Sequence, residues 1–335
     1  MKGMYNMIIQ NRQATYKFSI KRNITILKGD SATGKTLLLK LIDDYNSVED
    51  SGVKVYIESS VETSVNIDVM TSRDWKNKER IEKNTIYFID EYYSFVKTDE
   101  FAKFISDTGI YVVIINREKL SALPFSVSEI YTLSMFEGLH IFEPIYKQKS
   151  LKHLPDVVIT EDSNAGYQFF TELFNRYKVE CLAAGGNSKV FTKLKNIYND
   201  DKRYLIIVDS AAFGAFIGEI TEYFKNKNVE IYLPESFEWL LLKTKTINIK
   251  DLEDKLKYTY NYVDSIKYKS WERFYTYILV NGTNKSNHPY NKNTLDNYYK
   301  RKVMVDRVIE NDELCNLLDK NNITEMNIVK NETSK

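Results

Sequence analysis

The sequence predicts an α/β protein built on mainly parallel sheets, with two α/β regions in series and a helical region after them. Short apolar runs alternate with amphipathic helical patterns over most of the chain, which is typical of parallel sheets. A glycine-rich turn joins one such run to a helix at residues 29–36. The 335 residues exceed the usual domain size of about 150 residues. We therefore expect three regions, at 1–149, 150–248 and 249–335.

The composition excludes several classes of protein. The 47 Lys and Arg residues balance 46 Asp and Glu residues, so binding of nucleic acid would need a local basic patch. Cys181 and Cys315 are the only cysteines, which favours reduced thiols in a cytoplasmic protein over a disulfide framework. The histidines share no ligand spacing with them, so zinc is not expected. No apolar run has the length of a membrane helix or of a signal core, so we expect no membrane association.

Residues 1–149 contain several apolar runs with the length and alternation of strands. The first two runs predict a hairpin that turns at Asn11 and Arg12, and the last two predict an antiparallel pair. The segment around Trp75 is polar and is predicted to be helical, as are residues 37–42. The predicted strands are 5–9, 14–20, 24–27, 53–57, 85–89, 110–115, 126–133 and 139–146.

The glycine-rich turn reads Gly29-Asp30-Ser31-Ala32-Thr33-Gly34-Lys35-Thr36 and lies between the strand 24–27 and a helix. Strand, loop and helix in this order form the P-loop context, which predicts binding of ATP with Mg²⁺ by all eight residues. The glycines let backbone N–H groups point at the phosphates, while Lys35 brings a positive charge and Thr36 a hydroxyl for Mg²⁺. The N-terminus of the helix adds its partial positive charge.

A second nucleotide motif is the apolar run 85–89 followed by Asp90 and Glu91, which is the pattern of a Walker B strand. A buried strand would place Asp90 beside the P-loop to hold Mg²⁺, and Glu91 would orient or deprotonate the attacking water. The alternative is that both acids open the next helix. Asn116 ends the next strand as a polar sensor near the γ-phosphate, while Arg117 is either a sensor or a surface residue. The predicted catalytic residues are Lys35, Glu91 and Asn116.

These motifs, with a hairpin before the P-loop and the strand EIYTL after it, resemble ATPases of the ABC and AAA kind. The segment from Thr36 to Asp90 is too short for the helical arm of an ABC protein, and no LSGGQ-like sequence occurs. We therefore expect a minimal RecA-like core. A P-loop kinase is the enzyme alternative, but no Arg-rich lid follows Asp90, and the Asp-Glu pair favours hydrolysis by water.

Strand and helix patterns alternate again after residue 150. Strands separated by such helices imply a second parallel sheet, and no second P-loop accompanies it. The predicted strands are 156–160, 179–183, 203–208 and 229–233, and the predicted helices are 166–176, 189–197, 213–224 and 237–242.

Acidic residues follow the strands of this second region, at the sheet edge where open α/β sheets bind ligands. Carboxylates that converge from separate strands can hold Mg²⁺, which prefers oxygen ligands. The alternative is that each acid caps a strand end or a helix start without a metal. The acids are Glu161, Asp162, Asp209, Glu235 and Glu238.

The segments VITEDSNAG, AAGGNSK, IIVDSAAFG and LPESFEWLLL together resemble a Toprim-like domain. The closest kind accompanies ATPases in bacterial anti-phage systems, including the overcoming-lysogenisation-defect family. The resemblance implies a metal-dependent nuclease site with Glu161 and Asp209 as ligands. Either Glu235 or Glu238 could supply a further carboxylate, and Glu238 is the candidate for the metal site. Ala211 stands where the family has its second Asp, and Asp162 where glycine is usual.

Residues 255–302 carry ten Lys or Arg, three acids and nine tyrosines. Such a segment could neutralise phosphates and stack on unpaired bases, so nucleic acid is a candidate partner. The alternative is a helical cap with a tyrosine core. The leading hypothesis is an ATPase that controls a Toprim-like domain acting on or sensing nucleic acid. The rival is a nucleotide-switched module that recruits a protein partner, and either would allow a homo-oligomer.

Overall fold

The computed structural model describes residues 1–29, 33–310 and 312–318. The chain divides into two compact units. Unit 1 comprises Met1–Lys147, Ala211–Ile217 and Glu253–Phe274, and unit 2 comprises Gln148–Ser210, Gly218–Leu252 and the described residues after Phe274. The first boundary between the units follows Lys147, two residues before the predicted boundary after residue 149. The predicted region 249–335, in contrast, contributes to both units.

Unit 1 contains a mixed sheet of nine strands within the described residues, in the order β4-β1-β2-β9-β8-β3-β7-β6-β5. The strands are β1 Tyr5–Gln10, β2 Thr15–Ile20, β3 Ile24–Lys28, β4 Lys54–Ser59, β5 Asn66–Val69, β6 Thr85–Ile89, β7 Tyr111–Ile115, β8 Ile130–Phe136 and β9 Leu139–Pro144. From β8 to β5 every neighbouring pair is parallel. The hairpin β1–β2 and the antiparallel pair β8–β9 confirm the sequence predictions.

The two central strands of the parallel half, β6 and β7, are buried on both faces. Every residue of β6 and β7 is buried, as expected for central parallel strands with continuous apolar runs. Two helices of unit 1 follow strands of this half: α1 is Lys35–Ser47 and α2 is Asp99–Thr108. Strand β4, in contrast, pairs with β1 at the antiparallel end of the sheet.

The prediction of a helix around Trp75 was wrong. Turns and a short 3-10 helix at Lys78–Arg80 occupy this segment, and the unpredicted strand β5 precedes it. The indole of Trp75 stacks on Phe95 and meets Phe101 edge-on, with ring centroids 5.3 and 5.8 Å apart. Packing in this aromatic cluster thus explains why Trp75 stands in an otherwise polar segment that does not form a helix.

Unit 2 contains a sheet of four strands in its described part, in the order β11-β10-β12-β13, and all its pairs are parallel. The alternation of strands and helices predicted for 150–248 is confirmed. The strands are β10 Val157–Thr160, β11 Glu180–Ala183, β12 Tyr204–Ile207 and β13 Val229–Tyr232, and the helices are α3 Ala165–Asn175, α4 Val190–Ile197, α5 Gly214–Tyr223 and α6 Phe237–Lys243.

The last part of the described chain is helical, as predicted for residues after 249. The remaining helices are α7 Leu252–Lys257, α8 Trp271–Thr283, α9 Asn297–Lys300, α10 Lys302–Glu310 and α11 Leu314–Leu317. Among the described residues, no helix combines the length and apolar character needed to cross a membrane.

Candidate functional site

The strand order of unit 1 gathers the predicted nucleotide residues at one edge of its sheet. Strand β3 lies between β8 and β7, and β7 separates it from β6. Because these strands are parallel, their carboxyl ends share one edge, where open α/β sheets bind ligands. The segments that begin there carry Gly29 after β3, Asn116 after β7 and Asp90 after β6.

The two glycines of the P-loop occupy backbone conformations that other residues rarely adopt. Gly29 has φ 134° and Gly34 has φ 99°. A Cβ atom at Gly34 would lie 3.1 Å from the Tyr16 hydroxyl and 3.2 Å from Cε1 of His140. Both glycines are therefore required by the backbone, as the motif predicts. Asp30, Ser31 and Ala32, predicted to bind nucleotide as well, lie outside the described residues.

The side chain of Lys35 is held inside the loop. It is 6 % exposed, and its Nζ donates hydrogen bonds to the carbonyl oxygen of Gly29 at 3.0 Å and to Oγ1 of Thr33 at 2.7 Å. A buried ammonium requires such oxygen partners. The charge is thereby fixed among the loop residues, at the place where the motif predicts the outer phosphates.

The N-terminus of α1 is suited to an anion. Its N-cap residue is Gly34, which provides no side-chain hydrogen bond, and its first turn contains no acidic residue. The first N–H groups of a helix have no partner within the helix, and they attract negative charge. Thr36 lies exposed in this turn, and its hydroxyl with the carboxylate of Asp90 offers the oxygen ligands that Mg²⁺ prefers. The residues present thus fit a nucleotide with Mg²⁺.

Two aromatic side chains that the sequence analysis did not select support the loop. Tyr16 is fully buried, and its hydroxyl donates a hydrogen bond to the carbonyl oxygen of Gly34 at 2.8 Å. The ring of His140 stacks on Tyr16, with centroids 4.6 Å apart and planes 15° apart. Burial raises the pKa of Tyr16 to about 12, so the donor stays protonated at neutral pH. The pair fixes the backbone turn from which α1 begins.

Replacing Tyr16 with Phe is expected to lower the free energy of unfolding by about 1 kcal/mol at neutral pH, because the Gly34 carbonyl loses its donor. Since the pKa is raised in the folded state, this contribution is complete below pH 10, the ordinary value, and is lost as the pH rises towards 12. Urea unfolding at several pH values measures it. Tyr45→Phe, at an exposed tyrosine of α1, is the control; equal stability of Tyr16→Phe and the unmodified protein at pH 7 would contradict the assignment.

Asp90 and Glu91 do not open the next helix. Asp90 lies in a turn directly after β6, where its Oδ1 accepts a hydrogen bond from the backbone N–H of Tyr92 at 3.2 Å. Helix α2 begins later, with Thr98 as its N-cap and acidic residues of its own in the first turn. The helix-capping alternative for the acidic pair is therefore wrong.

Arg117, whose role the sequence left open, forms an ion pair with Glu91. Its Nε lies 3.0 Å from Oε2 of Glu91, and its second terminal nitrogen lies 3.4 Å from Oε1. Such a two-point contact orients a carboxylate as well as balancing its charge. Neighbouring Asn116 is 3 % exposed, and its backbone N–H donates to the Leu27 carbonyl of β3 at 3.3 Å. The ends of β7 and β3 are thus tied together.

Unit 2 has a pocket at the carboxyl ends of β10 and β12, and four of the predicted acids line it: Glu161, Asp162, Asp209 and Glu238. The backbone N–H of Asp209 donates to Oε2 of Glu161 at 3.2 Å. The Oδ1 of Asp209 in turn accepts from the backbone N–H of Phe237 at 3.1 Å. Asp162 lines the same pocket and accepts two hydrogen bonds from Asn164. These four acids therefore lie at one edge of the sheet, whereas Glu235 does not line the pocket.

Glu238 is the most buried of these acids, at 2 % exposure. Its Oε1 accepts a hydrogen bond from the hydroxyl of Tyr290 at 2.9 Å and lies 4.0 Å from Nζ of Lys292. Neither partner was selected from the sequence, because both lie more than fifty residues away along the chain. Across the described parts of the chain, no group of three or more His, Cys, Asp or Glu side chains is arranged to hold a metal ion.

Five of the eleven aromatic residues of the predicted basic segment 255–302 are buried in the core of one unit or the other. Tyr258 and Tyr277 are exposed, at 36 % and 47 %. Trp271 is covered by the guanidinium of Arg22, which lies 3.5 Å from its ring centroid. This burial fits the alternative of a tyrosine core. The buried members are Tyr268, Phe274, Tyr275, Tyr290 and Tyr299.

Comparison with known proteins does not assign the chain to a family. No protein-family model matches the sequence, and no curated protein has a significant match to it. Function has to be argued from the two sites themselves.

Proposed function

We propose that unit 1 binds ATP with Mg²⁺ and hydrolyses the nucleotide. The observation that carries this proposal is the P-loop: two glycines with positive φ precede a buried lysine whose ammonium is held by oxygens of the loop. The sheet adds support, since β7 lies between the P-loop strand β3 and the strand β6, which Asp90 follows. Asn116, directly after β7, is a buried polar residue. This combination serves phosphoryl transfer in P-loop proteins.

Each residue has a defined task in this proposal. Lys35 and the N–H groups at the start of α1 bind the phosphates. Thr36 and Asp90 would hold Mg²⁺, which when bound neutralises charge on the outer phosphate oxygens. Glu91 orients water and accepts its proton, and Arg117 holds the carboxylate of Glu91 in position.

The fate of the γ-phosphate tests this proposal. Purified protein with Mg²⁺ and γ-labelled ATP should release the label as inorganic phosphate, and a chelator of Mg²⁺ should stop the release. Transfer of the label to an added small molecule or to protein would indicate a kinase instead. Release that continues unchanged in the chelator would contradict metal-dependent hydrolysis.

For unit 2 we propose a Toprim-like domain that acts on or senses nucleic acid under control of the nucleotide, in defence against phage. Its support is the pocket lined by Glu161, which follows β10, by Asp209, which follows β12, and by Glu238 of α6. Carboxylates at such an edge are the side chains that nuclease chemistry with Mg²⁺ requires. Cleavage of DNA or RNA, including tRNA, that needs both Mg²⁺ or Mn²⁺ and ATP would be the direct evidence.

A nucleotide-switched interaction module without nuclease activity is the second candidate. Two observations favour it: Glu238 is already engaged by Tyr290 and Lys292, and a buried alanine, Ala211, stands where the Toprim pattern has its second Asp. Under this candidate, Glu238→Gln should leave every function of the protein intact while retaining the acceptor for Tyr290. Loss of nucleic-acid cleavage in Glu238→Gln, with ATP hydrolysis unchanged, would favour the nuclease instead.

A further inference from the structure

Strand β4 forms one edge of the nine-stranded sheet of unit 1. It pairs with β1 on one side, and no strand of the described chain pairs with its other side. The strand reads Lys-Val-Tyr-Ile-Glu-Ser and contains neither proline nor a bulge, two of the devices that commonly block an edge. Its alternate residues Lys54, Tyr56 and Glu58 are exposed, with Tyr56 at 54 %.

The pairing with β1 determines which backbone groups of β4 face outward. Tyr5 is opposite Ser59, and one step further Ser60 donates its backbone N–H to the Met4 carbonyl at 2.9 Å. In antiparallel pairs the hydrogen-bonded positions recur at every second residue. Positions 54, 56 and 58 therefore direct their N–H and C=O groups to β1. Val55 and Ile57 direct theirs to the free edge.

We infer that a second copy of this chain pairs with β4 through this edge, in an antiparallel arrangement whose two-fold axis passes between the two Tyr56 residues. Val55 and Ile57 would then be hydrogen-bonded to Ile57 of the partner subunit and Val55 of the partner subunit. Lys54 would lie opposite Glu58 of the partner subunit, and the reverse pair would form by symmetry. A self-complementary edge of this kind is what a symmetric dimer requires.

Charge and packing specify this register. Positions 54, 56 and 58 become the non-hydrogen-bonded pairs, whose side chains approach most closely. Opposite charges and aromatic pairs stabilise such positions, whereas like charges opposite each other destabilise them. With the axis at Ile57 instead, Glu58 would lie opposite Tyr56 and no opposite charges would meet. The sequence of the strand thus selects a second copy with Tyr56 on the axis, a conclusion that does not depend on nucleotide hydrolysis.

Charge exchange tests the inference directly. Sedimentation analysis of the full chain should show a dimer that dissociates on dilution. Lys54→Glu alone or Glu58→Lys alone places two like-charged pairs in the interface, so each should weaken the dimer by about 10-fold or more. The double variant Lys54→Glu with Glu58→Lys should recover it. An equimolar mixture of the two single variants should recover it too, because each then meets the opposite charge in the other.

Recovery in the mixture separates a lost contact from a folding defect, since two misfolded chains would not restore each other. Near-ultraviolet circular dichroism of each variant checks the fold independently. A wild-type chain that stays monomeric at all concentrations would overturn the inference. So would single variants that dimerise as the wild type does, or a mixture that stays monomeric. Pairing of the edge with a different protein would show itself as a monomer of the purified chain, and would equally overturn it.

Discussion

Replacement of Lys35 with alanine is expected to lower ATP turnover by at least about 100-fold, the loss that follows removal of one preorganised donor at a developing charge. The ammonium is buried and held 3.0 Å from the Gly29 carbonyl oxygen and 2.7 Å from Oγ1 of Thr33. No other cation of the loop could replace it, since 29–36 contains a single basic residue. Phosphate release and binding of a fluorescent ATP analogue should both fall.

The matched control is Lys40→Ala, which removes an exposed lysine from the same helix, α1. It should leave turnover and nucleotide affinity unchanged within the error of the assay. Thermal unfolding of both variants establishes that α1 remains folded. Turnover in Lys35→Ala equal to that of the Lys40→Ala control would remove the P-loop from the mechanism and with it the proposed ATPase.

The parallel half of unit 1 was predictable because burial on both faces leaves a strong signal. All residues of β6 and β7 are buried, and their sequences are uninterrupted apolar runs. Strand β5 has four residues and alternates between exposed and buried positions, so its sequence carries little of that signal. The apolar residue Trp75 belongs to a cluster with Phe95 and Phe101, which only the folded chain brings together.

The residues of the candidate sites also divide into those that the local sequence identifies and those that only tertiary contacts identify. Gly29, Gly34 and Lys35 were identified because their roles depend on neighbours within one loop. The contacts that position the site connect distant parts of the chain, such as Tyr16 with Gly34. Arg117 could be read only as a sensor or a surface residue, since nothing local in the sequence joins it to Glu91. Periodicity and spacing do not report such pairs, because packing and not local conformation brings them together.

Replacement of Glu91 with glutamine is expected to lower ATP hydrolysis by about 100-fold or more while leaving nucleotide affinity within about threefold, since a positioned general base contributes roughly that factor to rate. Glutamine keeps the size of the side chain and one oxygen that can accept from Arg117, but it cannot take a proton from water. Single-turnover measurements with bound ATP distinguish slow chemistry from weak binding.

The control for this prediction is Glu118→Gln, two residues beyond Asn116. Glu118 is 69 % exposed and pairs with Lys97 at 2.6 Å, so it resembles Glu91 in having a cationic partner but follows β7 at the protein surface. Its replacement should leave hydrolysis unchanged. If Glu91→Gln hydrolyses ATP as fast as Glu118→Gln, the pair with Arg117 is structural and the base lies elsewhere. If both affinity and hydrolysis fall together in Glu91→Gln, the carboxylate binds nucleotide, and the assignment of a proton acceptor is wrong.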